Sequence, residues 1–127
     1  MATPRPLALR VVAPAEVRSG AVAALELVVT NSASDPLPQS FTGRPAHDFT
    51  VTRPDGTHVW RWSHDAVVQD ILEQRTLGPG ERLRLPGEWD LKDDGGAPVP
   101  AGVYLVRGLL RTDPPLATSP QPLRVRD

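Results

Sequence analysis

Proline occurs 15 times and glycine 10 times in 127 residues, and both are spread along the chain rather than gathered in one block. This spacing constrains the fold more than any other feature. Proline removes a backbone donor and breaks helix interiors, and glycine weakens helices and strands alike. Long helices are excluded. What fits between the breakers are short runs joined by turns, and within those runs apolar residues recur at period two. Leu7, Leu9 and Val11 face one way and Ala8 and Arg10 the other; Ala23, Leu25, Leu27 and Val29 alternate with Glu26, Val28 and Thr30. Phe49 and Val51 lead into Pro54-Asp55-Gly56, where proline presets φ and glycine accepts a positive φ, so residues 58–62 read as the returning strand of a hairpin.

Residues 63–77 carry two periods at once. Val67 and Ile71, like Val68 and Leu72, are four apart, yet residues 71–77 also alternate. The reading is a single turn near residues 65–70 and then a strand up to Gly78-Pro79-Gly80. Leu83 and Leu85 follow, with Trp89 just beyond, then the loop Asp93-Asp94-Gly95-Gly96. A long strand runs through Tyr104, Val106 and Leu110, and a last one through Leu123 and Val125. Residues 1–127 therefore read as one all-β domain, an immunoglobulin-like antiparallel β-sandwich of about eight strands with at most one short helical turn. Without crossover helices a parallel sheet is excluded. Gly102-x-Tyr104 fits a tyrosine corner at the start of the penultimate strand. Trp60 or Trp62, sharing a face at i and i+2, is expected at the centre of the core near Val106 and Leu27 or Val29, with Trp89 and Tyr104 completing it.

The chemistry is sparse. There is no cysteine, which removes disulfides, thiol catalysis and cysteine zinc sites. Fourteen basic residues against 15 acidic ones give a net charge of −1, so no global field recruits nucleic acid or an anionic membrane. No apolar run approaches the ~20 residues of a membrane span. Residues 1–9 lack the apolar core of a secretory leader, which favours a cytoplasmic protein. His47-Asp48, His58 and His64-Asp65 show no metal-ligand spacing, and consecutive Ser63-His64-Asp65 cannot stack into a relay; all read as solvated surface. Asp93–Gly96 lacks the ligand spacing of a calcium loop, and Gly78–Gly80 is no phosphate loop. Arg107, Arg111, Arg124 and Arg126 read as a solvated polar face. No activated nucleophile, metal site or cofactor cradle is present, so the expectation is a binding protein without cofactor rather than an enzyme.

One stretch is more specific. Phe41-Thr42-Gly43-Arg44-Pro45-Ala46-His47-Asp48-Phe49-Thr50-Val51 resembles the F-x-S-G-Q-x-Y-D-F-x-V block of the BsuPI-type intracellular proteinase inhibitors. Asp55-Gly56 and Val59-Trp60-Arg61-Trp62-Ser63 are similar to that family's D-G-x-x-V-W-R-W-S, Gln69 to its F-x-Q, and Leu77 to Glu81 to its L-x-P-G-E. Glu88-Trp89-Asp90, Gly96 and Pro98 to Tyr104 complete the pattern. Thr42, Arg44-Pro45, His47 and Val67 depart from it, His47 standing where tyrosine is usual and Val67 where phenylalanine is usual.

The resemblance implies an inhibitor of subtilisin-type serine proteases that presents one stiff loop to the protease cleft. The loop expected is the proline-braced residues 36–44, with Phe41 or Arg44, followed by Pro45, as anchors. The turn at Pro79 and the loop at Asp94 are second choices. The alternatives are a non-inhibitory interaction module, or carbohydrate binding by Trp60, Trp62 and Trp89 on the surface. A monomer or a weak homodimer through exposed strand edges is expected.

Overall fold

The computed structural model describes residues 7–127, and these form eleven β-strands and no helix. The expectation for residues 1–6, that no secretory leader begins there, lies outside the described residues. The strands are β1 (Leu7–Val12), β2 (Glu16–Arg18), β3 (Ala23–Asn31), β4 (Leu37–Phe41), β5 (His47–Thr52) and β6 (His58–Arg61). They continue as β7 (Glu73–Leu77), β8 (Arg82–Trp89), β9 (Gly102–Leu110), β10 (Leu116–Ala117) and β11 (Gln121–Arg126). One sheet has the order β1-β3-β8. The other runs β2-β11-β9-β5-β6, with β10 also on β9. A separate two-stranded ribbon joins β4 to β7.

This is the immunoglobulin-like sandwich that the alternating pattern predicts, with eleven strands rather than about eight because β2, β4 and β10 are short additions. Pairing is antiparallel except between β2 and β11, which run parallel from Glu16↔Arg124 to Arg18↔Arg126. The exclusion of parallel pairing does not reach this case: the two strands come from opposite ends of the chain, so no crossover helix is needed between them.

The sheets interlock through two glycines. Gly87 on β8 faces Phe49 on β5, and a Cβ at Gly87 would lie 2.5 Å from the ring. Reciprocally, a Cβ at Gly108 on β9 would lie 2.7 Å from Leu27 on β3. Each sheet thus leaves a gap that a large side chain of the other fills. Leu27, Phe49, Val51, Val106 and Leu123 are all fully buried in this layer. The hairpin from β5 to β6 turns as the sequence predicts, with Gly56 at φ +92° and the Arg53 and Thr57 backbones bonded across it.

The indoles divide differently from expectation. Trp89, at the end of β8, is fully buried; its ring lies 5.5 Å from Tyr104 and 6.0 Å from Trp60, and its Nε1 donates to Lys92 O at 2.8 Å. Trp60 is also buried in the core, at 5% exposure, and Trp89, at 0%, is the more fully enclosed of the two rings. Tyr104 closes a tyrosine corner by donating to Pro100 O at 2.6 Å. Trp62 stays on the side of Trp60, opposite Phe49 to which its N–H donates, but β6 ends at Arg61 and the chain turns, so Trp62 is half-buried on the rim against His47 and Phe49.

Gly87→Ala should destabilise the domain by about 1–3 kcal/mol through overpacking against Phe49, read as a lower urea midpoint at constant m-value. An unchanged midpoint would show that the sheets have slack at this point.

Candidate functional site

The block from Phe41 to Val51 crosses from the ribbon into the larger sheet, and its polar residues explain the route. Asp48 is fully buried on β5. Its Oδ1 accepts bonds from Phe49 N at 2.9 Å and Ser63 N at 3.1 Å, and its Oδ2 accepts from Ser63 Oγ and, at 2.7 Å, from Arg111 Nη2. A carboxylate without water needs this many donors, since a lone buried charge costs several kcal/mol. The Arg111 guanidinium also donates to His47 O at 2.7 Å and Pro45 O at 3.1 Å. Its backbone receives Thr42 N and donates to Ala46 O. One arginine beyond β9 therefore fixes residues 42–48 at both edges.

That fixed segment carries a second one. Arg44 and Gln69 exchange two backbone bonds of 3.0 Å, N to O in each direction. Arg44 also pairs with Glu73 through its side chain. Val68 packs over Gly43, where a Cβ would meet Val68 at 3.3 Å and the Arg111 stem at 2.8 Å. The chain from Ala66 to Leu72 is irregular apart from this bridge. It exposes two large apolar side chains, Val67 at 87% and Leu72 at 71%.

His47 occupies the junction with the smaller sheet. Its ring lies 4.8 Å from Trp62 and its Nε2 is 2.8 Å from Pro86 O on β8. Burial holds its pKa below the usual histidine value, against the opposing pull of the Pro86 carbonyl and of Asp48, while Arg111 lowers it further.

The five expected contact residues do not converge. Phe41 is 6% exposed: it ends β4 with its ring in the core, so it is no surface anchor, and residues 37–41 are ladder rather than free loop. Arg44 and Pro45 do lie at the surface beside Gln69, joined by a cis peptide. Pro79 is exposed at the other end of β7, in a turn held by Asn31 Nδ2, which donates to Leu77 O and Gly78 O, and by Glu81, which accepts from Gly78 N. Asp94 is engaged within the molecule, accepting from Arg61 N at 2.8 Å and lying 2.7 Å from His58 Nε2.

Two surface readings are corrected outright. His47 and Asp48 are buried, and Arg111 is an internal clamp rather than part of a solvated face. Ser63-His64-Asp65 lies in a turn, with Ser63 bonded to Asp48 and His64 3.9 Å from Asp65, and forms no relay. No group of three or more potential metal ligands occurs among the described residues. No helix among them is long and apolar enough to cross a membrane. Sequence reasoning passed over Val67 and Leu72; the one available signal was that Val67 stands at the F-x-Q position of the resemblance.

Arg111→Met should cost about 3–5 kcal/mol by leaving the Asp48 carboxylate buried without its cation, measured by chemical unfolding. A loss under about 1 kcal/mol would mean that Ser63 and backbone donors suffice. His47 gives a pH signature. Its folded-state pKa lies below the unfolded 6.5, so the unfolded chain binds the proton first and stability falls as pH drops below about 6.5. His47→Gln should flatten that acid-side slope relative to the parent below about pH 6.5; parallel profiles would contradict the assignment.

Comparisons with known proteins agree with this architecture. Comparison with curated proteins found no match. Among solved structures, the alkylpurine DNA glycosylase AlkC of Pseudomonas fluorescens, bound to DNA containing an abasic-site analogue, superposes with a TM-score of 0.53 at 16% identity. That match covers 96% of this chain and 31% of the glycosylase. Latent PorU of Porphyromonas gingivalis gives 0.56 at 17% identity, over 97% of this chain and 10% of that one. The CARDB domain of a Pyrococcus furiosus protein gives 0.50 at 16% identity over 95% and 94%. The chain spans under a third of the glycosylase, and identities this low show the sandwich fold alone. The family model described as intracellular proteinase inhibitor matches residues 11–115, nearly the whole chain and all of the Asp48–Ser63–Arg111 clamp. The chain belongs to the BsuPI family of intracellular proteinase inhibitors, proteins that bind proteases and are not themselves enzymes.

Proposed function

We propose that the protease restrained is a serine protease of the subtilisin type, and that it is met by residues 66–72, with Arg44 and Pro45 at the flank. The protease class rests on the resemblance of Val59-Trp60-Arg61-Trp62-Ser63 and the Phe41–Val51 block to inhibitors of such enzymes. The surface rests on one observation: Val67 and Leu72, 87% and 71% exposed, stand on a segment pinned through Gln69. Burying two such side chains in a partner contributes about 1.5–3 kcal/mol each.

The backbone adds a second contribution. Gln69 spends its N–H and C=O on Arg44, whereas the backbone groups of Val68 and Asp70 on either side make no backbone bond among the described residues. Protease clefts bind extended chain as an added strand, and such a segment fits that mode. Because Arg44, Gly43 and Arg111 already hold the segment, little ordering entropy is lost on docking. Phe41, Pro79 and Asp94 have no part in this reading, since each is spent on packing or lies elsewhere.

Hydrolysis of casein by an intracellular subtilisin-like protease tests it. The parent chain should inhibit, and Val67→Asp with Leu72→Asp should raise the inhibition constant about tenfold or more, with the melting temperature nearly unchanged. Inhibition insensitive to both substitutions would move the surface elsewhere. Absence of inhibition by the parent chain would overturn the protease class.

A further inference from the structure

The outer face of the smaller sheet holds a groove that lies outside the docking surface proposed above. It is open, about 720 Å³, and runs over β3 and β8 between Val12 and Trp62. A second chamber of about 260 Å³ continues it toward Val22, and Trp62 and Glu88 belong to both. Val12 and Val22, at the two ends, are two of the five large apolar residues exposed among those described. Val67 and Leu72, two others, are on the segment already discussed. The exposed apolar surface of this domain is thus concentrated in two places, and a monomer gains nothing from either.

The charges lining the groove are chiefly carboxylates, with Arg84 on Glu26 and His64 beside Asp65 in the second chamber. Glu26 and Glu88 line the first chamber, Asp65 and Asp90 the second, and neither lysine nor arginine lines either. Glu26 is met by Arg84 at 2.9 Å, and Asp90 accepts from Lys92 N at 3.2 Å, whereas Glu88 sits at the join of the two chambers. The Trp62 indole, with the His47 ring 4.8 Å away, stands beside it. An aromatic face next to a carboxylate suits a guanidinium or ammonium group, through the ring quadrupole and a charge-assisted hydrogen bond together.

We infer that this groove docks a basic and apolar peptide segment of a partner protein, an arginine or lysine lying on Trp62 beside Glu88 and apolar neighbours on Val12 and Val22. The site is separate from residues 66–72 and stands whether or not those residues meet a protease. Carbohydrate, which aromatic rings with carboxylates also bind, is disfavoured by the apolar floor of the first chamber.

The test is a titration of the full chain with a short capped peptide alternating arginine and leucine, following the Trp62 indole N–H signal by NMR. Parallel titrations use the same peptide with glutamate for arginine, and cellohexaose. The basic peptide should shift the Trp62 signal saturably, raised salt should weaken it, and Glu88→Gln should weaken it about fivefold or more while the fold is retained. No shift with the basic peptide, equal binding of the acidic peptide or of cellohexaose, or an affinity indifferent to Glu88→Gln would each overturn the inference.

Discussion

A buried carboxylate holds the functional end of this domain together. Asp48 has no access to water, and its negative charge is tolerated because Arg111, Ser63 and a neighbouring amide all donate to it. The desolvation penalty for such a pair is of the same order as its attraction, so the pair adds little net stability over an apolar replacement. What it adds is position. An arginine after β9, a serine after β6 and a strand from the middle of the sheet are forced into one arrangement, and the backbone of residues 42–46 is hung from the arginine. Every feature of the proposed docking surface is suspended from that point, through Gly43, Arg44 and Gln69.

The remainder of the sandwich separates stability from presentation. Stability comes from the layer in which Phe49 enters the gap at Gly87 and Leu27 the gap at Gly108, and from Trp89 packed on Tyr104. Apart from Gly87, whose backbone lines the open groove, those residues are buried. The side chains left over, Val67, Leu72 and those around Trp62, sit on segments fixed by hydrogen bonds instead of by their own burial. A domain built in this way can change its contact residues with little cost to folding.

Much of the fold was legible because β-structure writes its period locally. The Pro54-Asp55-Gly56 turn, the alternation of residues 23–29 and the tyrosine corner each depend on neighbours within a few positions. The misreadings share a different cause. His47, Asp48 and Arg111 look like surface residues because their burial depends on partners far along the chain: Asp48 and Arg111 are 63 residues apart. Phe41 was taken for a loop anchor because prolines surround it, whereas its pairing with Glu73 on β7 makes it a strand residue. Residues 63–72 carry conflicting periods for a physical reason: they belong to no sheet, and the Ser63–Asp48 bonds, a turn and the bridge to Arg44 set their path.

The central claim is that residues 66–72, braced by residues 42–46, are the surface that meets the protease. Amide hydrogen exchange on the inhibitor, free and in complex with a catalytically inactivated subtilisin-type protease, tests it most directly. The account predicts slowed exchange at Val68 and Asp70, whose amides make no backbone bond in the free domain, with exchange around Pro79 and Asp94 unchanged. Protection that appears at Pro79 or Asp94 while Val68 and Asp70 exchange as in the free protein would contradict it.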